Sequence, residues 1–346
     1  MRARINTPRG RGAGVRFGAM APGACAHAES PVLPRRRTGF LFRIIAAVCC
    51  FLAAATACSE APARTGASSP GDSAVAATDD SGREVRLPRP ARRVVSLIPS
   101  ATETLLALGA RGQIVGRTRY DVAPEVADVP SVGGGLNPSL EAIAALRPEL
   151  VIAWEGDRSR GLRPQLEALG IAVFTLAADD TTDVFRSIDQ LGQLTGHSRA
   201  ADSVAAAIRA DLAAVRASVR GRPAPSVFYV VSTDPPMTAS PRTFVGQILE
   251  LAGGRSIFPD VTADWPTVAM EEIVRRQPEV VVLPEGEDPV RSLEVLRTTS
   301  GWRELRAVRE GRVVRVPTEL VNRPGPNLGR AARALRDALH PELAGR

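Results

Sequence analysis

The sequence predicts an α/β protein of two similar lobes, each with a mainly parallel sheet flanked by helices, joined by one long bridging helix. Three observations carry this. A helix ending in proline and feeding an apolar strand occurs twice in one register, over residues 140–152 and 270–282. Pro148 and Pro278 each follow a glutamate, Glu141 and Glu271, by seven positions. Apolar runs of strand length alternate with helical segments on either side of 182–220, the pattern of parallel sheets covered on both faces. Residues 182–220 themselves hold no strand pattern, and Ala, Leu, Val and Ile recur at helical spacing through 198–219. A duplicated unit makes two lobes, two lobes make a cleft, and clefts are where small ligands usually sit.

Taken in order, residues 1–58 read as an export signal. Arg35, Arg36 and Arg37 precede an apolar run over 40–57 that closes on Ala55-Thr56-Ala57-Cys58. A membrane-spanning anchor is the alternative; Arg43 shortens the apolar core, and small and polar residues follow it, which favours the signal. Residues 59–91 read as a flexible tether, since Ala, Ser, Gly and Thr dominate 59–80 without an apolar period.

The N-terminal lobe is assigned to 92–181. Val94-Val95-Ser96-Leu97-Ile98 suits a central strand, and Ser100-Ala101-Thr102-Glu103 matches a capping box that opens a helix over 102–108. Gly109 stops that helix. Strands are expected at 114–116, 150–153 and 172–176, with helices in the first repeat and near 162–169. The bridging region is 182–222, closed by Gly221 and followed by Pro223 and Pro225. The C-terminal lobe, 223–346, restarts with Val227-Phe228-Tyr229-Val230-Val231. A helix over 244–251, the second repeat and a strand over 313–316 follow. The expected outcome is two halves held apart by a stiff helix and facing each other across a groove.

Composition narrows the function. The chain carries 44 basic and 37 acidic residues, of which 9 and 1 lie in 1–58; the remainder holds 35 and 36, a net charge of −1. The basic excess belongs to the leader and argues for no nucleic-acid partner. Cys25, Cys49, Cys50 and Cys58 all lie in the leader, so the body has no disulfide and no thiolate metal site. His197 and His340 are the body's only histidines, too few and too far apart in sequence for a zinc cluster. No Gly-x-Ser-x-Gly motif occurs, and Asp179, Asp180 and Asp183 read as helix caps rather than a catalytic pair. Neither an enzyme nor a resident cofactor is expected.

The strings over 94–109, 136–154 and 265–283 together resemble the solute-binding proteins of iron-complex and cobalamin importers, in order and spacing from 92 to 339. Val151-Ile152-Ala153-Trp154, Asp234-Pro235-Pro236 and Trp265-Pro266 lean toward the cobalamin-binding branch. The resemblance implies the helical-backbone metal-chelate receptor fold. It also implies a monomeric periplasmic or cell-surface protein, lipid-anchored at Cys58, that hands a small-molecule ligand to an ABC permease.

Carried onto this chain, Tyr120, Trp154 and Trp265 match cleft aromatics, and Met237 stands where the branch often has phenylalanine. Gly134, within Gly133-Gly134-Gly135, would either form part of a turn or let the backbone approach the ligand. Glu319 and Arg323 match an acid–arginine pair, the arginine donating to ligand amide or carboxylate oxygens. Ordinary packing is the alternative for each aromatic, and a surface ion pair for Glu319 and Arg323. Glu141 and Glu271 match the glutamates that dock on permease arginines; first-turn acids favoured by the helix dipole are the alternative. The implied ligand is cobalamin or a related corrinoid. A ferric siderophore or haem in the same fold is one alternative, and a surface-tethered adaptor or signalling lobe is another.

Overall fold

The computed structural model describes residues 73–156, 161–286 and 292–345. The export signal, Cys58 and residues 59–72 lie outside the described residues.

The chain enters through a hairpin, β1 (Val75–Thr78) and β2 (Glu84–Leu87), paired antiparallel. The tether expected over 59–91 is therefore corrected from Val75 onward. Its signal is short: four alternating residues in β2, with Val85 and Leu87 buried, behind an Asp79-Asp80-Ser81-Gly82 turn. Gly82 supplies the positive φ of 81° that the turn needs.

The first lobe runs β3 (Val94–Ser96), α1 (Pro99–Ala107), β4 (Ile114–Gly116), α2 (Leu140–Ala145), β5 (Leu150–Trp154), α3 (Leu162–Glu167) and β6 (Ala172–Leu176). Two helices follow, α4 (Thr181–Thr195) and α5 (Ser198–Ser218). The second lobe comprises β7 (Ser226–Tyr229), β8 (Ser232–Thr233), β9 (Pro236–Met237), α6 (Phe244–Leu251), β10 (Arg255–Ser256), α7 (Met270–Arg276) and β11 (Val280–Glu285). It closes with α8 (Leu293–Thr298), α9 (Arg306–Arg309), β12 (Val313–Pro317), α10 (Thr318–Val321) and α11 (Leu328–Leu339).

Each lobe has a four-stranded sheet, ordered β4-β3-β5-β6 in the first and β10-β7-β11-β12 in the second, with every pair parallel. The order is the same: the first strand is central, the second lies beside it at one edge, and the third and fourth extend the other way. Strand residues alternate between faces. Val94, Leu150 and Ile152 join one apolar cluster while Val95, Val151 and Ala153 join another, so both faces are buried. Val227, Val280 and Val282 alternate with Phe228, Val281 and Leu283 in the same way.

The expected bridging helix is α5. Ahead of it α4 fills 181–195, capped by Asp180 and Asp183 in a reciprocal box and ended by Gly196 at φ 78°. These caps are the role read for the two acids in the sequence. The expectation that a rod holds the halves apart is corrected. Ala201, Ile208 and Val215 of α5 belong to one continuous core that also takes in α4, α6, α11 and one face of each sheet. An amphipathic helix buries its apolar stripe wherever a partner is available, and here both lobes supply one.

The capping box expected at Ser100–Glu103 is also corrected. Helix α1 starts at Pro99, so Ser100 lies inside the helix, and Ile98 at the N-cap offers no side-chain bond. Proline suits the first helical position because its missing N–H is not needed there. Glu103 is left free for a longer-range partner.

Candidate functional site

In each sheet the chain moves to opposite sides of the first strand, and such a reversal leaves a crevice at the carboxyl ends of the strands. Cavities lie there. One of about 270 Å³ lies between the lobes: Trp154, Glu155 and Ala177–Asp179 come from the first, and Val231, Phe244, Trp265, Asn322 and Pro324 from the second. A second, about 600 Å³, is lined by Leu97, Pro99, Tyr120, Gly135, Leu136, Asn137 and Trp154. Trp154 is shared, so the two cavities adjoin.

The aromatic residues singled out in the sequence are brought together here. Trp154 ends β5, half-buried, and packs against the core while facing both cavities. Trp265 is 37% exposed, with its ring 6.1 Å from Phe244 and nearly edge-on to it. Tyr120 is 55% exposed, and the Arg119 guanidinium lies 5.4 Å from its ring centre. Tyr229 donates to Asn322 Oδ1 at 2.6 Å, which orients the amide beside the smaller cavity.

Other expected site residues lie elsewhere. Gly134 is turned against Asn137 and Arg119, and it is Gly135 that lines the larger cavity. Gly135 lies so close to Leu97 O that a Cβ would stand 2.3 Å from it, so only glycine fits. Met237 is half-buried in β9, where its carbonyl accepts from Val231 N–H at 2.9 Å; it lines neither cavity. The expected Glu319–Arg323 pair is corrected. Arg323 Nη1 donates to Glu103 Oε1 at 2.6 Å, and both residues line a separate cavity of about 690 Å³ with Glu319. The sequence separation of 220 hides this partner from any local reading.

Electrostatics give the smaller cavity a sign. Burial pushes the Asp179 carboxyl above its ordinary range, and the neighbouring carboxylates of Asp183, Asp264, Asp180 and Asp80 push it further. Glu155 and Asp179 line the small cavity, and among the described residues no basic side chain lines either. Asp179 was read as a helix cap and Phe244 as the start of a helix, and nothing local in the sequence marks Asn322 as a binding residue. Among the described residues no group of three or more His, Cys, Asp or Glu could hold a metal ion.

Glu141 and Glu271 are exposed in the first turns of α2 and α7. Trp302 is 1% exposed and packs with its ring 5.5 Å from that of Phe228, in the core of the second lobe.

Comparisons with known proteins agree with this geometry. Residues 94–320 match the family described as periplasmic binding protein. The chain is 31% identical over 272 residues to the uncharacterized ABC transporter substrate-binding lipoprotein YvrC of Bacillus subtilis, covering 76% of this chain and 85% of that one. It is 30% identical over 253 residues to a vitamin B12-binding protein of Photorhabdus laumondii, covering 72% and 88%. Among solved structures, a periplasmic heme-binding protein from Pseudomonas aeruginosa is similar with a TM-score of 0.64 and 27% identity, covering 72% of this chain and 93% of that chain. With its fold, its interlobe cavities and the match over 94–320, the chain belongs to the periplasmic binding protein family of solute-binding proteins.

Proposed function

We propose that this substrate-binding component of an ABC importer captures cobalamin or a related corrinoid at the adjoining cavities and delivers it to its permease. One observation carries the reading. Aromatic faces from Trp154, Trp265, Phe244 and Tyr120 line the site together with Glu155, Asp179 and Asn322, and without a lining cation among the described residues. A corrin ring is flat and apolar and is edged with amides. Its N–H groups can donate to the two carboxylates, and its faces can stack on the rings. A haem or a polyanionic siderophore would bring its own carboxylates against Glu155 and Asp179, which costs binding energy. Similarity to a vitamin B12-binding protein supports the same ligand class.

Haem is the second reading, favoured by the exposed Tyr120 phenol, an oxygen that can ligate ferric iron, and by similarity to a heme-binding protein. In both readings residues 92–181 and 223–346 act as the two lobes around the bridging region 182–222. Glu141 and Glu271 meet the permease, and a lipid on Cys58 holds the monomeric carrier at the membrane.

Titration of the purified protein with cyanocobalamin and, separately, hemin tests the assignment. Cyanocobalamin is expected to quench tryptophan emission saturably, and Trp154→Ala or Trp265→Ala to weaken binding about tenfold. Saturable binding of hemin alone, with a tyrosinate–iron absorption band lost in Tyr120→Phe, would replace the corrinoid with haem. Silence toward both ligands would favour the adaptor reading.

A further inference from the structure

The segment Asn322-Arg323-Pro324 ties the two lobes together at the floor of the site. Asn322 is held within the second lobe by Tyr229, and Asn322 and Pro324 face the interlobe cavity. Arg323 between them turns the other way. Its guanidinium donates to Glu103 Oε1 at 2.6 Å and to the Tyr120 carbonyl at 3.2 Å, both in the first lobe. Asn327, the N-cap residue of α11, donates to the other Glu103 oxygen at 3.1 Å. The Glu103 carboxylate thus sits at the start of a twelve-residue helix, where the dipole favours a negative charge. The ion pair is largely shielded, with 19% and 17% of the two side chains exposed.

A second polar link joins the lobes. Phe244 N–H donates to the Asp179 carbonyl at 2.7 Å, and Thr181 N–H donates to Gln247 Oε1 at 3.0 Å. The two links differ in kind. One is made by a backbone bond and a neutral side chain, and the other hangs on a charge pair. Both partners of the charge pair lie close in sequence to the site. Glu103 is four residues from Pro99 on α1, which lines the larger cavity, and Arg323 adjoins two residues that line the smaller one.

We propose that Arg323 is a positioning residue, a charge latch to Glu103 that sets the gap between the lobes and thereby the rate at which ligand leaves. The lobes pivot at the Asp179–Phe244 seam, and the latch is the link that opens. Seating a ligand against Tyr120 and Pro99 on one side and Pro324 on the other holds the gap closed and keeps the latch made. Release requires the latch to part, so release quickens as salt screens the pair. The ligand-dependent half of this rests on the proposed binding site; the latch itself does not.

The test uses the full chain and the variants Arg323→Gln, Glu103→Gln and the charge swap Glu103→Arg with Arg323→Glu. Hydrogen exchange without ligand is expected to rise over 99–107 and 118–122 in the single variants and to fall back in the swap. Stopped-flow tryptophan emission with cyanocobalamin is expected to show release about five- to tenfold faster in the single variants, with association nearly unchanged. Wild-type release should quicken between low and high salt, while the single variants lose that dependence. Unchanged exchange in the single variants overturns the latch, whatever binds. Changed exchange with a wild type silent toward cyanocobalamin keeps the latch and removes the corrinoid reading. A swap that exchanges as freely as the single variants shows Arg323 to be a packing element only and overturns the proposal.

Discussion

The two proline-ended units, α2–β5 and α7–β11, bond alike and are preceded by different chemistry. In the first, Glu149 N–H donates to Arg93 O at 2.8 Å and its carboxylate accepts from Arg92 N–H at 2.6 Å. In the second, Glu279 N–H donates to Ser226 O at 2.9 Å and its carboxylate accepts from Ser226 N–H at 2.6 Å. Each helix is followed, just before the proline, by a non-glycine residue with positive φ, Arg147 at 46° and Gln277 at 42°. Just before α2, however, Gly135 presses its backbone on Leu97, whereas just before α7 Trp265 offers a ring. The duplicated part builds the frame, and the segments ahead of it line the cavities.

The largest expected effect concerns a partner that would use this symmetry. Reversing both exposed glutamates, Glu141→Arg with Glu271→Arg, is expected to abolish uptake while leaving ligand affinity intact. Lost affinity would instead move the pair into the binding site. Next is the feature that breaks the symmetry, the hairpin fastened to the first lobe and to α4. Asp79 has no exposed side-chain surface and is ion-paired to Arg163, which is itself bonded to Thr175. Asp79→Ala removes the carboxylate that Arg163, Ser81 and Arg83 N–H share and leaves the buried arginine, among the described residues, only its longer 3.6 Å ion pair with Glu167, so a loss of about 3 kcal/mol is expected in denaturant melts.

Acid sharpens the same point. Burial pushes the Asp79 carboxyl up, but hydrogen bonds from Ser81, Arg163 and Arg83 N–H outweigh it and hold the group below its ordinary range. Its stabilising contribution is therefore complete above the ordinary carboxylate range and is lost as pH falls through the depressed folded value. Asp79→Asn should flatten the acid limb of a stability–pH curve.

A smaller effect separates the two repeats. Arg147→Gly should stabilise by about 1 kcal/mol, because glycine occupies left-handed backbone without penalty. Gln277→Gly should gain less, since Gln277 Oε1 also accepts from Arg306 N–H at 2.9 Å. Equal thermal shifts in the two variants would mean that this bond contributes nothing. Smallest is Glu279→Gln. The Ser226 backbone N–H and hydroxyl hold the Glu279 carboxyl below its ordinary range, and a cost of about 1 kcal/mol above that range is expected.

Most of the frame was legible because parallel strands buried on both faces are written as apolar runs, such as Val94–Ser96 and Ala172–Leu176. The hairpin was not, since β1 and β2 have four residues each and buried side chains only at Ala77, Val85 and Leu87. Trp154, Trp265 and Tyr120 could be found because aromatics are scarce in this chain. Asp179 and Asn322 could not, because a carboxylate or an amide in a loop has no period and its neighbours are far away in sequence. Arg323 was picked out but given the wrong partner for the same reason.

The hairpin also decides where load enters the molecule. Whatever pulls on the chain ahead of Ser73 reaches Val75 first and is borne by Asp79 on Arg163 and by Asp80 on Arg186 and Ala177 N–H. A moored carrier would thus hang by its first lobe and by α4. The second lobe would take that load at second hand, through the core it shares with α4 and α5 and through the Arg323–Glu103 and Phe244–Asp179 contacts.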